Sequence, residues 1–598
     1  MSTLDLGVIG NCIIAALISR TARIEWCCFP GLDGDPIFCS LLRGNQAEEG
    51  GFFDVAPEGA APVSQRYLGN TAILETVIAA RDGGAMRVVD FAPRFKRYGR
   101  IFRPAMLVRR IEPLEGRVHV RLRLRPRFAY GARTPGRSSG SNHVRYFHDD
   151  AALRLTTDAP ISYIIDEVPF ILSAPLNLIL GPDEPPTQSP ARMASEFLEE
   201  TEEYWIDWTR YLSVPFEWQD AVIRAAVTLK LCSFEETGAI VAALTTSVPE
   251  APDSGRNWDY RYCWLRDAYF VVHALNRLGA TRTMEDYLGF VTNVATAEPE
   301  HRLRPVYPIV LAAEMIEHEV HSLAGFRDMG PVRVGNAAAL QRQNDVYGSV
   351  ILAATQMFFD RRLPRLGGRA LFQDLERLGD HAVALASEPD ASVWEYRSIR
   401  GIHTFSSVMC WAACNTLARL ARHLDLADRA ERWQQEARRI RGGIEARAWD
   451  SQQSTFVSTA GSEEVDASLL LLNEVGFLSA EDPRFAGTVA AVERRLRRGS
   501  LLFRYVNPDD FGTPRTAFAA CSFWFSDALA AIGRREEARE IFEDMLTHRN
   551  HLGLLSEDID LHTGELWGNY PQTYSMVGLV ITAMRLSRSW EEALWAGS

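Results

Sequence analysis

The first third of the chain alternates apolar and polar residues over short runs. In residues 118–124 the apolar positions alternate with arginine or histidine, which is the period of two expected for a strand with one buried face. Comparable runs at 72–78, 86–91 and 106–111 are separated by glycine, proline and aspartate. Many short strands divided by turn residues are typical of an antiparallel sandwich. The pattern therefore predicts a β-sandwich domain over residues 1–190.

The pattern changes after a proline-rich stretch at 181–190, whose composition predicts a loop between domains. Residues 194–212 are acidic at first and then rich in tryptophan and tyrosine. We interpret them as a helix that packs an aromatic face on a neighbouring domain. We therefore assign residues 191–215 to a helical linker.

From about residue 216 the apolar residues recur every three or four positions, the spacing of amphipathic helices. The clearest predicted helices are 221–234, 268–278, 346–359, 370–386, 404–423, 427–446, 517–532, 536–547 and 573–586. Several connections between them are long and contain aromatic, acidic and glycine residues, so the loop ends of helical hairpins can form a site. We assign residues 216–598 to a helical catalytic domain. The spacing alone leaves open whether the helices close into a barrel or stack as a solenoid.

Composition narrows the classes of protein that the chain can represent. With 598 residues, 47% of them apolar, the chain is long enough for more than one buried core. Its net charge of −13 lacks the positive field that nucleic acids require. No window reaches 18 uninterrupted apolar residues, so the sequence predicts no membrane span. We therefore expect no nucleic-acid or membrane partner, and the oligomeric state is left open.

The cysteines and the N-terminus predict a cytoplasmic protein. The nine cysteines are scattered and contain no CxxC pair. This argues against a disulfide scaffold or a zinc cage and suits a reducing compartment. The apolar stretch near the start is short and lacks a basic leader, so it does not resemble a signal peptide. The sequence indicates no cofactor.

Four loop-like segments concentrate side chains that could form a site. The first, residues 256–267, reads RNWDYRYCWLRD and supplies the flat aromatic faces and fixed polar groups that a sugar site needs. An aromatic helix start stabilised by salt bridges fits the same residues equally well. The second, residues 325–336 followed by 343–348, is a polar loop with several glycines. It lacks the form of a phosphate loop, and a purely positioning role also fits it.

The third and fourth segments carry candidate catalytic carboxyl groups. In residues 392–397, SVWEYR, a glutamate lies between two aromatic residues, where desolvation would raise its pKa and keep it protonated as a general acid. A surface glutamate between packed aromatic residues is the alternative. The fourth segment, 553–560 followed by 564–575, holds several acidic residues, one of which could be an ionised base that activates water. It lacks the remaining ligands of a calcium loop, so we predict no metal site.

Together these segments resemble glycoside hydrolase family 15, the family of glucoamylases, glucodextranases and prokaryotic trehalases. The resemblance covers nearly the whole chain. Its motifs, in family order, are LGVIGNC at 6–12, IEWCCFP at 24–30, RNWDYRYCWLRD at 256–267, VRVGNAA at 332–338, VWE at 393–395, CSFW at 521–524, LSE at 555–557 and NYPQ at 569–572. The resemblance implies an N-terminal antiparallel β-sandwich, a C-terminal (α/α)6 barrel with its active site at the loop end, and hydrolysis with inversion.

Carried over by motif, the resemblance implies that Glu395 is the general acid and Glu557 is the general base. Arg266 and Asp267 match the family's pair that binds the non-reducing glucose. The remaining predicted substrate contacts are Trp258, Asp259, Tyr260, Trp394, Arg397, Arg327 and Trp567. The stretch 325–331 reads GFRDMGP where relatives more often have a G-Y-x-x-S-x-P form, and this departure falls on the aglycone subsite.

The resemblance implies an exo-acting α-glucoside hydrolase. Because we see no signal peptide and no starch-binding module, we expect a small sugar rather than a polymer as substrate. The domain lengths and motif spellings are most similar to those of the family's α,α-trehalases, so we predict trehalose hydrolysis to two glucose molecules. Glucoamylase-like or isomaltose-type hydrolysis of gluco-oligosaccharides is the alternative within the family. A phosphorylase would lack the base, and an inactive glycan-binding protein is the alternative from a different class.

Overall fold

The computed structural model describes residues 3–57, 59–81, 83–298, 300, 302–364 and 366–595. The extreme ends of the predicted domains 1–190 and 216–598 therefore lie outside the described residues. Strands occupy the first part of the described chain and helices dominate the second. None of the described helices is both long and apolar enough to span a bilayer.

The N-terminal region consists of two large antiparallel sheets and a small hairpin. The strands β1 to β17 are, in order, Leu6–Gly10, Ala15–Ser19, Ile24–Phe29, Asp35–Phe38, Phe52–Pro57, Ala61–Tyr67, Leu74–Ala79, Ala85–Phe91, Phe95–Arg97, Arg100–Phe102, Leu107–Glu115, His119–Arg125, Gly136–Ser139, His143–His148, Ala151–Thr157, Phe170–Ile171 and Leu176–Gly181. One sheet has the order β1-β2-β3-β5-β12-β16, with β4 paired to β3. The other has the order β13-β14-β15-β17-β11-β8-β7-β6, and β9 pairs with β10.

The two large sheets bury a common apolar core. Val120, Leu122 and Leu124 of β12 are buried, whereas Arg121 between them is exposed. These three side chains pack in one cluster with Val88 of β8, which belongs to the other sheet. The period of two in the sequence therefore marks the buried face of the strand, as predicted.

Helices form most of the remaining chain. The α-helices α1 to α15 are, in order, Ile161–Ile165, Pro190–Arg210, Gln219–Leu231, Ala268–Arg277, Thr281–Ala297, Val346–Ala354, Gln356–Phe359, Arg369–Leu385, Thr404–His423, Ala427–Ala448, Leu471–Glu474, Pro483–Leu496, Ala519–Ala531, Arg535–Thr547 and Thr573–Leu586. Short 3-10 helices are Ser40–Leu42, Gly44–Gln46, Ala337–Leu340 and Ala467–Leu470, and a π-helical turn is Glu591–Trp595. Neighbours in sequence pack together, such as α9 with α10 and α13 with α14, as helical hairpins do.

Two-residue strands connect the helices at several places. These strands, β18 to β30, are Ser233–Phe234, Ala239–Ile240, Cys263–Trp264, Val306–Tyr307, His318–Glu319, Arg333–Val334, Trp449–Asp450, Thr455–Phe456, Arg497–Arg498, Leu501–Leu502, Ala517–Phe518, Asp558–Ile559 and Leu566–Trp567. The last three form one sheet in the order β28-β29-β30. This sheet fixes the segment that contains the predicted catalytic base.

The observed helices follow the predicted ones closely where the pattern is strongest. The helices predicted at 404–423 and 573–586 are confirmed with the same bounds as α9 and α15. The linking helix α2 begins earlier than predicted, at Pro190. Ser189 caps it by accepting the N–H of Arg192, and proline fits the first helical turn. The stretch predicted as one helix at 346–359 is divided into α6 and α7.

The sheets and the helices share a buried contact. Strand β1 and helix α3 belong to the same apolar cluster. Trp26 of β3 donates its indole N–H to the carbonyl of Leu244 at 2.8 Å. Asn550, which lies between α14 and β29, donates to the carbonyl of Leu6 at 2.9 Å. The N-terminal region is therefore anchored to the loops that contain the first and the fourth candidate segments, residues 256–267 and 553–560.

Candidate active site

The two predicted catalytic glutamates, Glu395 and Glu557, line one cavity. The space between its lining side chains is about 980 Å³, its open mouth included. The predicted substrate residues that line the same cavity are Trp258, Tyr260, Arg266, Trp394 and Arg397. Residues distant in sequence therefore form a single site.

Glu395 lies in the connection between α8 and α9 and is surrounded by hydrogen-bond donors. The indole N–H of Trp264 donates to its Oε1 at 2.6 Å. Arg266 Nη1 and Gln343 Nε2 donate to the same oxygen, each at 3.2 Å. The side chain remains 22% exposed. This setting is more polar than the predicted one between two packed aromatic residues.

Glu557 lies directly before β29 and is only 2% exposed. The hydroxyl of Tyr260 donates to its Oε1 at 2.6 Å. Gly568, with a φ of +76°, packs against this side chain. A Cβ at Gly568 would lie 2.7 Å from Cβ and 2.9 Å from Oε2 of Glu557. The position of the carboxyl group therefore depends on a glycine at residue 568.

One segment of the chain connects the two glutamates. Tyr260, which donates to Glu557, and Trp264, which donates to Glu395, pack edge to face with ring centroids 5.2 Å apart. Both belong to the first candidate segment, 256–267. Because two packed aromatic rings resist compression, this contact fixes the two carboxyl groups relative to each other.

The electrostatic surroundings of Glu557 favour its neutral form. Burial raises the pKa of Glu557 well above 4.5, and the carboxyl groups of Glu250 and Asp558 raise it further. The guanidinium of Arg504 and the hydroxyl of Tyr260 lower this pKa. Arg504 also pairs with Glu250. The ionised form of Glu557 therefore depends on Arg504 and Tyr260.

A partly buried cation lies beside Glu395. Arg266 lies near Asp267, with Nε 3.4 Å from Oδ1, and donates to the carbonyl of Val393 at 2.8 Å. Burial raises the pKa of Asp267 to about 6 and that of Asp345 to about 7, and Arg266 opposes both shifts. Arg266 lines the cavity, whereas Asp267 is only 7% exposed and lies outside the cavity lining.

The mouth of the cavity is polar and crowded. Arg397 lies over the ring of Trp258, with Cζ 4.5 Å from the centroid, and the ring of Phe511 meets Trp258 edge-on at 5.1 Å. Arg397 also forms a bidentate ion pair with Glu317, with both distances 2.7 Å. The Trp258 ring is thus oriented by groups from two other loops, one of which is held in turn by Glu317.

The structure places Asp259 away from the cavity, contrary to its predicted contact with substrate. Its carboxylate is fully buried and accepts from Arg261 at 2.9 and 2.7 Å. Trp258 and Tyr260 on either side of it line the cavity. Successive side chains of an extended segment point to opposite sides, so Asp259 faces away when its neighbours face inward.

Arg327 and Trp567, also predicted to contact substrate, lie next to each other outside the cavity lining. Cζ of Arg327 is 5.1 Å from the ring centroid of Trp567, and its guanidinium pairs with Glu565. Trp567 is 2% exposed and its Cα pairs with that of Asp558 in the sheet of β29 and β30. Both residues therefore support the strand that follows Glu557.

Sequence reasoning missed several residues of the site. Trp264 and Gln343 lie within the candidate segments, but nothing in the pattern indicated that they contact Glu395. Arg504 lies outside the candidate segments, and its proximity to Glu557 arises only through the fold. Glu250 and Asp510 also line the cavity and carry no local signal in the sequence. Within the described residues, no group of three or more His, Cys, Asp or Glu side chains is arranged to hold a metal ion.

Comparison with known proteins identifies the family. The sequence profile described as Glycosyl hydrolases family 15 matches residues 218–584. This chain belongs to glycosyl hydrolase family 15. A second profile, described as Trehalase-like, N-terminal, matches residues 4–156 of the same hydrolase. The resemblance read from the motifs is thereby confirmed.

Relatives of this family 15 hydrolase match it over nearly its full length. Proteins named Trehalase from Thermoplasma volcanium and Thermoplasma acidophilum are 30% and 31% identical to it. The matches cover 98% and 96% of this chain and 93% and 98% of the relatives. A crystal structure of a bacterial glucoamylase complexed with acarbose has the same fold, with a TM-score of 0.68 at 14% identity. That match covers 98% of this chain and 94% of the glucoamylase.

In this family 15 hydrolase, Gly568→Ala is expected to lower kcat about 100-fold, because a misplacement of about 1 Å at a catalytic group costs this much. The added Cβ would collide with Glu557. Gly564→Ala is the matched control. It has a similar φ of +69°, and its Cβ would meet nothing closer than His548 at 3.4 Å. Equal losses of kcat in both variants would show that backbone strain, rather than contact with Glu557, is responsible.

Proposed function

We propose that this hydrolase cleaves α,α-trehalose into two glucose molecules, with inversion at the attacked anomeric carbon. The observation that carries the proposal is that Glu395 and Glu557 line one cavity and are both hydrogen-bonded by a single rigid segment. An inverting glycosidase needs two carboxyl groups fixed on opposite sides of the scissile bond, with room for water beside one of them. The packing of Tyr260 against Trp264, which fixes both carboxyl groups in the lining of one cavity, supports this proposal.

Glu557 is the general base in this proposal. Its Oε1 accepts the hydroxyl of Tyr260, a contact that is strongest when the carboxylate is ionised. The carboxylate then accepts a proton from the attacking water, whose oxygen bonds to the anomeric carbon from the face opposite the departing sugar. Arg504 stabilises the negative charge that this role requires.

Glu395 is the general acid. Three N–H donors, from Trp264, Arg266 and Gln343, converge on Oε1, so the proton is carried by Oε2. It passes to the glycosidic oxygen as the bond to the attacked carbon breaks. The departing glucose keeps its α configuration, whereas the attacked glucose becomes β.

The remaining lining residues bind the substrate in this proposal. Arg266 binds hydroxyl groups of the attacked glucose. Asp267, which was predicted to contact the glucose as well, lies outside the cavity lining and orients Arg266 in this proposal. Trp258 and Trp394 form walls of the site, and Arg397 meets the second glucose at the mouth. A mouth built from charged groups suits a second sugar that exposes hydroxyl groups on all sides. Substrate contact is no longer proposed for Asp259, Arg327 and Trp567.

Trehalose is favoured as substrate by the relatives named Trehalase, which match over nearly the full chain at about 30% identity. Hydrolysis of malto- or isomalto-oligosaccharides is the second candidate. It is favoured by the fold shared with a bacterial glucoamylase. Both candidates use the same acid and base and differ only in the sugar bound at the mouth.

The proposal also covers the domain boundaries and the way in which the sheets and helices are assembled. We infer that the two large sheets form a sandwich over residues 1–190 and that 191–215 is the linker. The helices of residues 216–598 then close into an (α/α)6 barrel. The packing of consecutive helices supports the barrel, for example α8 against α9 and α9 against α10. All nine cysteines are buried and unpaired, which suits a reducing compartment and supports a cytoplasmic location.

The purified protein is expected to hydrolyse trehalose with a kcat/KM at least about ten-fold above that for maltose, isomaltose and maltotetraose, a difference of about 1.4 kcal/mol in transition-state binding. Initial rates of glucose release, measured by a coupled assay, give the comparison. A preference for maltotetraose would favour the glucoamylase-like candidate. Absence of glucose from every α-glucoside would refute both candidates.

Glu395→Gln and Glu557→Gln are each expected to lower kcat on trehalose by about 10²- to 10⁴-fold, the contribution of a positioned acid or base. The thermal unfolding midpoint should change little, because glutamine has the same shape. Glu236→Gln, at an exposed glutamate, is the control and should retain full activity. Near-normal kcat in either active-site variant would overturn that residue's assignment.

Tyr260→Phe is expected to shift the acid limb of the kcat/KM profile upward by about one to two pH units. Glu557 must be ionised to act, so activity is lost as pH falls through its pKa, which burial already raises. Removing the Tyr260 hydroxyl removes a hydrogen bond worth about 1.5–3 kcal/mol to the charged form, and the pKa rises further. The alkaline limb should stay in place. An unmoved acid limb, or one that moves downward, would contradict the role of Glu557.

A further inference from the structure

The segment that carries Glu395 has an unusual backbone. Ser392 has a φ of 66° and Glu395 a φ of 60°, although neither is glycine. L-residues adopt this left-handed region only when their surroundings maintain it, and such residues cluster at functional sites. The orientation of the Glu395 carboxyl group therefore depends on whatever holds residues 392–398 in place.

Asp510 provides contacts directly after Glu395. Its Oδ2 accepts the backbone N–H of Arg397 at 2.7 Å, and its Oδ1 accepts that of Ser398 at 3.0 Å. The hydroxyl of Ser398 also donates to Oδ1. One carboxylate thus receives three donors from two consecutive residues, and these lie two and three positions after Glu395.

The loop that carries Asp510 is itself anchored to the other catalytic segment. The carboxylate of Asp509 accepts from Arg256 at 2.7 and 2.6 Å and from the hydroxyl of Tyr505. The backbone N–H of Phe511 closes the turn by donating to Asp509 at 2.8 Å. Arg256 begins the segment 256–267, which binds both glutamates. Asp510 therefore reaches residues 397 and 398 from a support that is shared with the rest of the site.

Other groups also hold the acid segment, and after Glu395 the side chain of Arg397 pairs with Glu317. Asp390 accepts the N–H of Ser392 at 3.1 Å, and Gln341 donates to the carbonyl of Glu395 at 3.2 Å. Asp510 itself is exposed, and slight desolvation acts to raise its pKa. The Ser398 hydroxyl and the two backbone N–H groups outweigh this effect and hold the pKa below its ordinary value. Asp510 is therefore ionised and accepts hydrogen bonds through both oxygens.

We propose that Asp510 is a positioning residue for the general acid, an inference that rests on the proposed role of Glu395. By fixing the backbone at Arg397 and Ser398, Asp510 maintains the left-handed conformation at Glu395. That conformation directs the carboxyl group to Trp264 and the glycosidic oxygen. Loss of the Asp510 carboxylate would leave Glu395 present but displaced, so protonation of the leaving group would fail while water activation at Glu557 continued.

A substrate that needs no acid separates these two functions. In α-D-glucosyl fluoride the C1–F bond breaks with its electron pair on fluoride, which departs without being protonated. The water oxygen forms the new C1–O bond, and its proton passes to Glu557. Hydrolysis of this substrate therefore depends on the base and on glucose binding. It does not require the acid.

Asp510→Ala is expected to lower kcat on trehalose by about 10- to 100-fold, part of the contribution of a general acid, and to change fluoride release from glucosyl fluoride less than about three-fold. Asp510→Asn, which keeps one accepting oxygen, should give an intermediate loss on trehalose. Asp253→Asn, at an exposed carboxylate of a neighbouring loop, is the matched control and should be neutral on both substrates. Thermal unfolding of each variant reports whether the fold is kept.

Glu395→Gln and Glu557→Gln, measured on both substrates, distinguish a failure of the positioning role of Asp510 from a failure of the acid assignment of Glu395. Suppose that Glu395→Gln retains hydrolysis of glucosyl fluoride. If Asp510→Ala then lowers the rates on trehalose and on glucosyl fluoride equally, or lowers neither rate, the positioning role of Asp510 is wrong and the acid assignment of Glu395 stands. If Glu395→Gln loses both activities to the same extent as Glu557→Gln, the acid assignment itself is wrong. Selective loss on trehalose in both Asp510 variants supports the proposal.

Discussion

The site depends on the contact between Tyr260 and Trp264. Each ring donates a hydrogen bond at 2.6 Å to one of the two proposed catalytic glutamates, and the rings pack against each other. The segment that holds them is tied down between the two rings by Arg261, which donates to the carbonyl of Gly34 at 2.8 Å and to the hydroxyl of Tyr130 at 3.1 Å. Loops of the N-terminal region therefore help to set the geometry of a site whose cavity is lined entirely by residues of the helical region. This gives a physical reason for the two regions to share a buried contact.

Many helices and strands could be predicted from the spacing of apolar residues, because that spacing reflects which side chains are buried. The helix Thr404–His423 was predicted with its observed bounds, since buried residues recur along almost its whole length. The strand His119–Arg125 followed from strict alternation. The start of Pro190–Arg210 was predicted late, because its first turn is specified by a serine cap and a proline rather than by apolar residues. The periodicity gave neither the order of the strands nor the closure of the helices, because both depend on contacts between distant residues.

The site was predictable only as far as local motifs reach. The two glutamates were identified by family motifs, but the surroundings that tune them were not. The sequence predicted desolvation of Glu395 between two aromatic residues, whereas the structure gives Glu395 three polar donors and buries Glu557 more deeply. Asp259 was predicted to face the substrate because it lies within the right motif, yet the extended backbone at this position turns it towards Arg261. Asp510 carries no motif at all, and its role follows from two backbone N–H groups on another loop.

The central claim is that two fixed carboxyl groups act on opposite faces of one glycosidic bond. The most direct test is the anomeric form of the glucose released from trehalose, observed by proton NMR within the first minutes, before mutarotation mixes the products. The account predicts α-glucose and β-glucose in equal initial amounts, one from the departing sugar and one from attack by water. Initial formation of α-glucose alone would indicate retention through a covalent intermediate and would contradict the assignment of Glu557 as a base that activates water.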